Sequence, residues 1–253
     1  MRTPIIAMSA LALAASAAPA LAQDAPASPI TVSGGATVTS DYRFRGISQT
    51  DMRFAVQGTI NVNHESGLYV GTWGSSIDDY IANGGDAEID IYGGFKKTVG
   101  AATVDVGLLY YYYPGSGGIT SDFFEPYASV SGTVGPVSGK LGVAYGFKQH
   151  GLAFGRNERE DNLYTYGEGS VAVPDTGLSL SAHLGHSFGP SYLTIGKEYT
   201  DWNVGASYAW KGITFGVSYV DTDKSLFVPV NGSTTRFRNA SKAGVVASIG
   251  AAF

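Results

Sequence analysis

Apolar residues recur at every second position along most of this chain, and that alternation limits its fold more than any other feature. Ile213, Phe215, Val217 and Tyr219 fall on one side of their segment, with Thr214, Gly216 and Ser218 on the other. Trp202, Val204, Ala206, Tyr208 and Trp210 alternate in the same way with Asn203, Gly205, Ser207 and Ala209. A period of two belongs to a β-strand with one apolar face. Twelve such strands are expected, over 31–45, 53–64, 67–77, 86–97, 102–113, 122–133, 136–147, 162–173, 177–187, 200–210, 212–221 and 239–253. Each is long enough to cross a bilayer as a tilted strand, which takes about 9–11 residues. Strands of soluble sheets are shorter, about 5–6 residues.

The connections alternate too. Short ones follow the second, fourth, sixth, eighth and tenth segments, at Glu65-Ser66, Thr98 to Ala101, Gly135, Pro174 to Thr176, and Lys211. Long, Gly-rich and polar ones intervene at 78–85, 114–121, 148–161, 188–199 and 222–238. Sorting of short turns to one end and long loops to the other is the habit of outer-membrane barrels, with the turns periplasmic. The expected fold is therefore all-β: a transmembrane antiparallel up-and-down β-barrel of about 12 strands over 31–253, both termini periplasmic. Glycine, at 35 of 253 residues, and 16 tyrosines fit strands, turns and interfacial aromatics better than helices.

Residues 1–22 read as a signal peptide. Arg2 starts it, an apolar Ala-rich run follows to Leu21, and Ala20-Leu21-Ala22 is a cleavage site that leaves Gln23 first. A membrane anchor is the weaker reading, because Pro19 and small residues break the run. A short tail, 23–30, precedes the barrel. The expected location is the bacterial outer membrane. With no cysteine, a disulfide framework and a thiolate enzyme are excluded. The charge of -5 and the absence of Lys/Arg-rich runs argue against nucleic acid as a partner. No His/Cys cluster has metal-ligand spacing, so neither metal nor other cofactor is expected.

In a closed barrel the polar faces point inward. The expected lumen lining is Asp41, Arg43 and Arg45 from the first strand, Gln57, Thr59 and Asn61 from the second, and Glu88, Asp90 and Lys96 from the fourth. Asp105, Glu125, Lys140, Glu168 and Lys242 follow on later strands. If water fills the lumen, pairing of Arg43 and Arg45 with Glu88 and Asp90 contributes little, about 0–1 kcal/mol each. The third strand tolerates either phase, since Tyr69 and Trp73 share a face. Interface aromatics are expected at Tyr110, Tyr112, Trp202, Trp210 and Phe253. Tyr111 and Tyr113 point inward near the mouth, where a sugar-stacking platform is the sharper alternative. The terminal Phe253, closing an alternating strand, is the expected signal to the barrel-assembly machinery.

Chemistry is sparse. His64-Glu65-Ser66 lies at a short turn, the wrong end for a lipid hydrolase, and His183 faces the lumen. His186 adjoins Ser187 without a clear carboxylate to orient it, so no enzyme is expected.

Ser40-Asp41-Tyr42-Arg43-Phe44-Arg45-Gly46-Ile47-Ser48-Gln49-Thr50-Asp51 is a distinctive run. Ala55-Val56-Gln57-Gly58, Gly67-Leu68-Tyr69-Val70-Gly71-Thr72-Trp73, Glu88-Ile89-Asp90-Ile91-Tyr92-Gly93-Gly94 and Tyr113-Pro114-Gly115 follow it in order. Together they resemble the TorF family of proteobacterial porins, most densely over 36–135. Phe54 and Pro126 stand where the family tends to have Pro and Leu. The resemblance implies an outer-membrane channel and fixes no substrate or binding residue. The expected function is passive diffusion of small hydrophilic solutes in contact with outer-membrane lipid. The alternatives are a closed structural or adhesive barrel acting through its loops, and a lipid hydrolase.

Overall fold

The computed structural model describes residues 28–118, 120–155, 157–230 and 235–253. The expected leader, residues 1–22, lies outside them. Among the described residues sixteen strands are formed: β1 (Ile30–Thr39), β2 (Arg43–Phe44), β3 (Ile47–Ser48), β4 (Ala55–His64), β5 (Leu68–Ser76), β6 (Ala87–Val99), β7 (Ala102–Tyr112), β8 (Phe123–Val134), β9 (Val137–Gln149), β10 (Glu160–Ala172), β11 (Leu178–Phe188), β12 (Tyr199–Trp210), β13 (Ile213–Thr222), β14 (Phe227–Pro229), β15 (Phe237–Asn239) and β16 (Gly244–Ala252). Twelve of them close a barrel in the order β1-β16-β13-β12-β11-β10-β9-β8-β7-β6-β5-β4. Every neighbour in the ring is antiparallel. β1 makes the seam: its Val38 lies opposite Val56 of β4 and Ile249 of β16. Phe253 extends the last ladder, exchanging backbone hydrogen bonds of 2.9 and 3.0 Å with Gly34. The pairs β2–β3 and β14–β15 are small hairpins outside the ring.

The wall keeps the expected phase. Ile89, Ile91, Val104, Val106, Leu108, Val204, Val217 and Ile249 are exposed on the outer surface. Glu88, Asp90, Asp105, Glu125 and Asp201 alternate with that apolar face and are buried within. The ambiguous phase of β5 is settled by its neighbours, since Tyr69 and Trp73 both turn inward to meet Asp105 and Tyr42. The turns at one end are tight, and Lys211 and Gly212, both with positive φ (48° and 82°), form the two-residue hairpin that matches strand twist. Inside the wall, tyrosine rings lie across glycines of the adjacent strand: Tyr92 over Gly71, Tyr127 over Gly107, and Tyr166 over Gly142. A Cβ at any of these glycines would overlap the ring, so glycine within a strand here makes room for an aromatic lining.

Two expected boundaries differ. The first strand ends at Thr39, not at residue 45, and residues 40–54 leave the wall, with 41–50 folded into the barrel and Met52 to Phe54 exposed. The last strand starts at Gly244. Residues 237–239 belong instead to a hairpin among the loops. The segment after Thr39 alternates in sequence, but its aromatic side chains Tyr42 and Phe44 find an aromatic interior, against Trp73 and Tyr111, with ring centroids 5.2 and 5.9 Å apart. The chain leaves at Ser40, whose N–H donates to the Ala247 carbonyl (2.8 Å) while its Oγ accepts from the Ala247 N–H (2.9 Å).

Candidate functional site

The site is the lumen at the loop end, where the inserted segment meets the wall. Within the segment, the β2–β3 hairpin turns through Arg45 (φ 48°) and Gly46 (φ 80°). Asp51 and Met52 also hold left-handed backbone (φ 54° and 57°), a conformation that bulky residues rarely adopt without support. The support is polar and internal. Asp41 accepts from Arg43 Nε (2.5 Å), Ser48 Oγ (2.6 Å) and Thr50 Oγ1 (3.3 Å). Arg43 Nη1 donates to the carbonyls of Gly46 and Lys242, each at 3.0 Å.

The loops clamp the segment from above. Ser48 N–H donates to the Ala240 carbonyl (2.8 Å), and Asp78 N–H to that of Gln49 (2.7 Å). Tyr80 Oη donates to the Ser48 carbonyl, Arg53 pairs with Asp78, and Arg238 with Asp51. Ile47 is buried among Tyr199, Leu226, Val228 and Ala240.

At the tip, Arg45 reaches the barrel wall. Its Nη2 donates to both oxygens of Glu125 at 2.8 Å, and its Nη1 to Asn162 Oδ1 at 3.1 Å. Its guanidinium carbon lies 4.1 Å from the ring centre of Tyr164 and 4.7 Å from that of Phe44. Tyr199 Oη donates to the Arg45 carbonyl (2.9 Å), Tyr111 Oη to Glu125 (3.1 Å), and Tyr164 Oη to Asp201 (3.0 Å). The side chains of Arg45 and Glu125 are only 8% and 4% exposed, and those of Arg43 and Asp41 4% and 6%. This corrects the expectation of a water-lined set of weak pairs: on this side the lumen is filled, and the pairs are desolvated.

The other expected lining residues lie on the wall. Gln57 and Asn61 face inward on β4, where Asn61 accepts from Tyr92 Oη (2.5 Å). Glu88 accepts from Tyr42 Oη (3.0 Å), while Asp90 keeps one oxygen buried without a partner among the described residues. Lys96 and Asp105 approach to 3.7 Å, and Lys140 and Glu168 to 4.0 Å. These sit towards the turn end, where one member of each pair is more open, Lys96 at 26% and Glu168 at 23% exposed. Lys242 is the exception. It is exposed, precedes β16, and contributes its carbonyl to Arg43 instead of a charge to the lumen.

Tyr111 and Tyr113 do not form an open platform. Both are buried, and Tyr111 is stacked on Phe123 at 4.2 Å. Tyr112, Trp210 and Phe253 are exposed, and Tyr110 and Trp202 half-buried, on the outward face. Two residues that the sequence reading passed over join the network. Asp201 shares the inward phase of Asn203, and takes His183 Nε2 at 3.2 Å. Asn162 shares the phase of Tyr164 and Tyr166, two bulky residues that disguise β10 as apolar on its inner face.

Hydrolase geometry is lacking at the expected positions. His186 does find a carboxylate, Glu198 at 3.2 Å, yet Ser187 lies on the opposite face of β11 and is fully buried. His64 and Ser66 approach to 2.8 Å, but at an exposed short turn.

The burial of the Arg45–Glu125 pair has a measurable consequence. Glu125→Gln leaves the guanidinium buried without its counter-charge and should cost about 3–5 kcal/mol in urea unfolding of the detergent-refolded barrel. The double change Arg45→Met with Glu125→Leu should cost much less, because it removes both charges from the same volume. A loss below about 1 kcal/mol for Glu125→Gln would mean that water reaches the pair.

Comparison with solved structures matches this architecture to outer-membrane barrels. An outer membrane channel from Pseudomonas putida superposes with a TM-score of 0.52 at 12% identity, over 91% of this chain and 99% of that one. The translocator domain of the autotransporter NalP from Neisseria meningitidis has a TM-score of 0.47 at 8% identity, covering 88% of each chain. An anion-selective porin from Comamonas acidovorans reaches 0.41 at 10% identity, over 88% of this chain and 99% of that one. Among curated proteins none matches the sequence. The family whose pattern fits residues 23–253 does so over nearly the whole length, and the chain belongs to it: a family described as bacterial protein of unknown function, Gcw_chp.

Proposed function

We propose that this protein is a bacterial outer-membrane channel for small polar solutes whose loop-side mouth is closed by residues 40–54. The observation that carries the reading is the nature of the closure. The wall presents polar, charged and aromatic side chains inward, and the loop-end obstruction is centred on one inserted stretch of chain that the loops cover. Thr39 and Ala55, which bracket it, lie directly opposite each other in the β1–β4 ladder. The barrel therefore closes without the segment, and an obstruction of that kind is separable from the fold. The resemblance to TorF-family porins and the superposition on the P. putida channel support the same reading. The family match begins at Gln23, the residue expected to follow leader cleavage, which supports export to the outer membrane. In this reading the long loops face outward and Phe253 serves assembly. A cysteine introduced at Asn157 and labelled on intact cells tests that orientation, and protection of this site would reverse it.

A closed barrel acting through its loops is the second reading, and the apolar seat of Ile47 under Leu226 and Val228 favours it. One experiment separates the two. Replacing residues 40–54 by Asn-Gly joins Thr39 to Ala55 through a two-residue hairpin turn and keeps the register. The shortened barrel, refolded and placed in planar bilayers, should conduct ions steadily, well above the intact protein. A correctly assembled barrel that stays non-conducting would exclude the channel and leave the closed-barrel reading.

A further inference from the structure

The wall around the Arg45 side chain has the form of a receptor. Glu125 offers both oxygens to one terminal guanidinium nitrogen, Arg45 Nη2, and Tyr111 Oη fixes that carboxylate by donating to Oε2. Asn162 presents its Oδ1 because its Nδ2 donates to the Phe188 carbonyl at 3.3 Å. Tyr164 presents a ring face, held by the bond from its hydroxyl to Asp201. Each orienting contact comes from the wall, so the arrangement does not depend on the inserted segment. Glu125, Asn162 and Tyr164 are each no more than 3% exposed. A carboxylate on one terminal nitrogen, an amide oxygen on the other and an aromatic face against the plane of the cation match an arginine-like group and not a lysine-like one.

We propose that Glu125, Asn162 and Tyr164 form a lumenal binding site for guanidinium-bearing solutes, which Arg45 occupies in cis as a built-in competitor. The passage of such a solute rests on the channel reading above, because only an open mouth admits it. The binding site itself can be tested without conduction. In this arrangement the inserted segment leaves the wall when a solute guanidinium replaces Arg45 on Glu125, and returns when the solute departs.

The test uses the full chain refolded in detergent, with its thermal unfolding midpoint followed by heat-modifiable gel migration. Arg45→Ala empties the site. L-Arginine should raise its midpoint, L-citrulline, a neutral isostere, should not, and L-lysine should need about tenfold more for the same shift. The unaltered protein should need far more arginine than Arg45→Ala for the same shift, because Arg45 competes for the site, and Arg45→Ala combined with Glu125→Gln should lose the arginine response. If Arg45→Ala does not fold, the titration is made on Arg45→Gln, which keeps bulk and a donor towards Glu125. A folded variant that responds equally to arginine and citrulline, or not at all, overturns the proposal. Bilayer recordings keep the two ideas apart. Conduction by the shortened barrel without arginine-specific stabilisation of Arg45→Ala defeats the binding site and spares the channel. Arginine-specific stabilisation with a silent shortened barrel does the reverse.

Discussion

A strand in hydrocarbon has no water for its backbone, and an unpaired N–H or C=O there costs several kcal/mol. The sheet must therefore close, and here β1 closes it by pairing with β4 on one side and β16 on the other. Closure encloses an interior whose side-chain phase is fixed by the lipid outside. Once Ile89 and Ile91 face outward, Glu88 and Asp90 have no choice but to face inward. The polar core follows from the apolar coat.

A polar interior of this kind is stable either when wet or when every charge finds a partner. The two halves of this barrel take different courses. Towards the turns, Lys96 and Glu168 stay partly exposed, and their partners Asp105 and Lys140, whose side chains are more buried, lie 3.7 and 4.0 Å away. Towards the loops, the inserted segment excludes water: its Arg45 pairs with Glu125 of the wall, its Arg43 pairs with its own Asp41, and its Tyr42 donates to Glu88. Desolvation makes these pairs poor sources of net stability but makes each partner costly to remove. Apolar contacts seat the segment as well: Tyr42 lies against Trp73, Phe44 against Tyr111, and Ile47 among Tyr199, Leu226 and Val228.

Alternation made the barrel legible, because each wall strand obeys a single period from end to end. It failed at Asp41 to Arg45 for a physical reason. Period two reports extended chain with different faces, and a hairpin lying inside the lumen has the same pattern as a strand in the wall. Lys242 was misplaced by the same logic, since the alternation of β16 was carried back past Gly244 into a loop. Asn162 escaped notice because Tyr164 and Tyr166 put aromatic bulk on the inner face of β10, where polarity was the expected sign. The contact of Arg45 with Glu125 joins positions 80 residues apart, and no local rule anticipates it. Their in-phase charges were visible, but their meeting depends on the insertion.

The central claim, that residues 40–54 form a closure seated on an otherwise complete polar lumen, is tested most directly by the reactivity of a buried position on the wall. Ser187 is fully buried, faces inward, and lies opposite Tyr199, which holds the Arg45 carbonyl. The chain has no cysteine of its own, so Ser187→Cys provides a single, nearly isosteric probe. In the intact, detergent-folded protein this thiol should react with a charged maleimide far more slowly than a cysteine at exposed Asn157. In the barrel lacking residues 40–54 the two rates should converge. Rapid labelling of Ser187→Cys in the intact chain would contradict the account, since it would mean that the lumen is open with the segment in place.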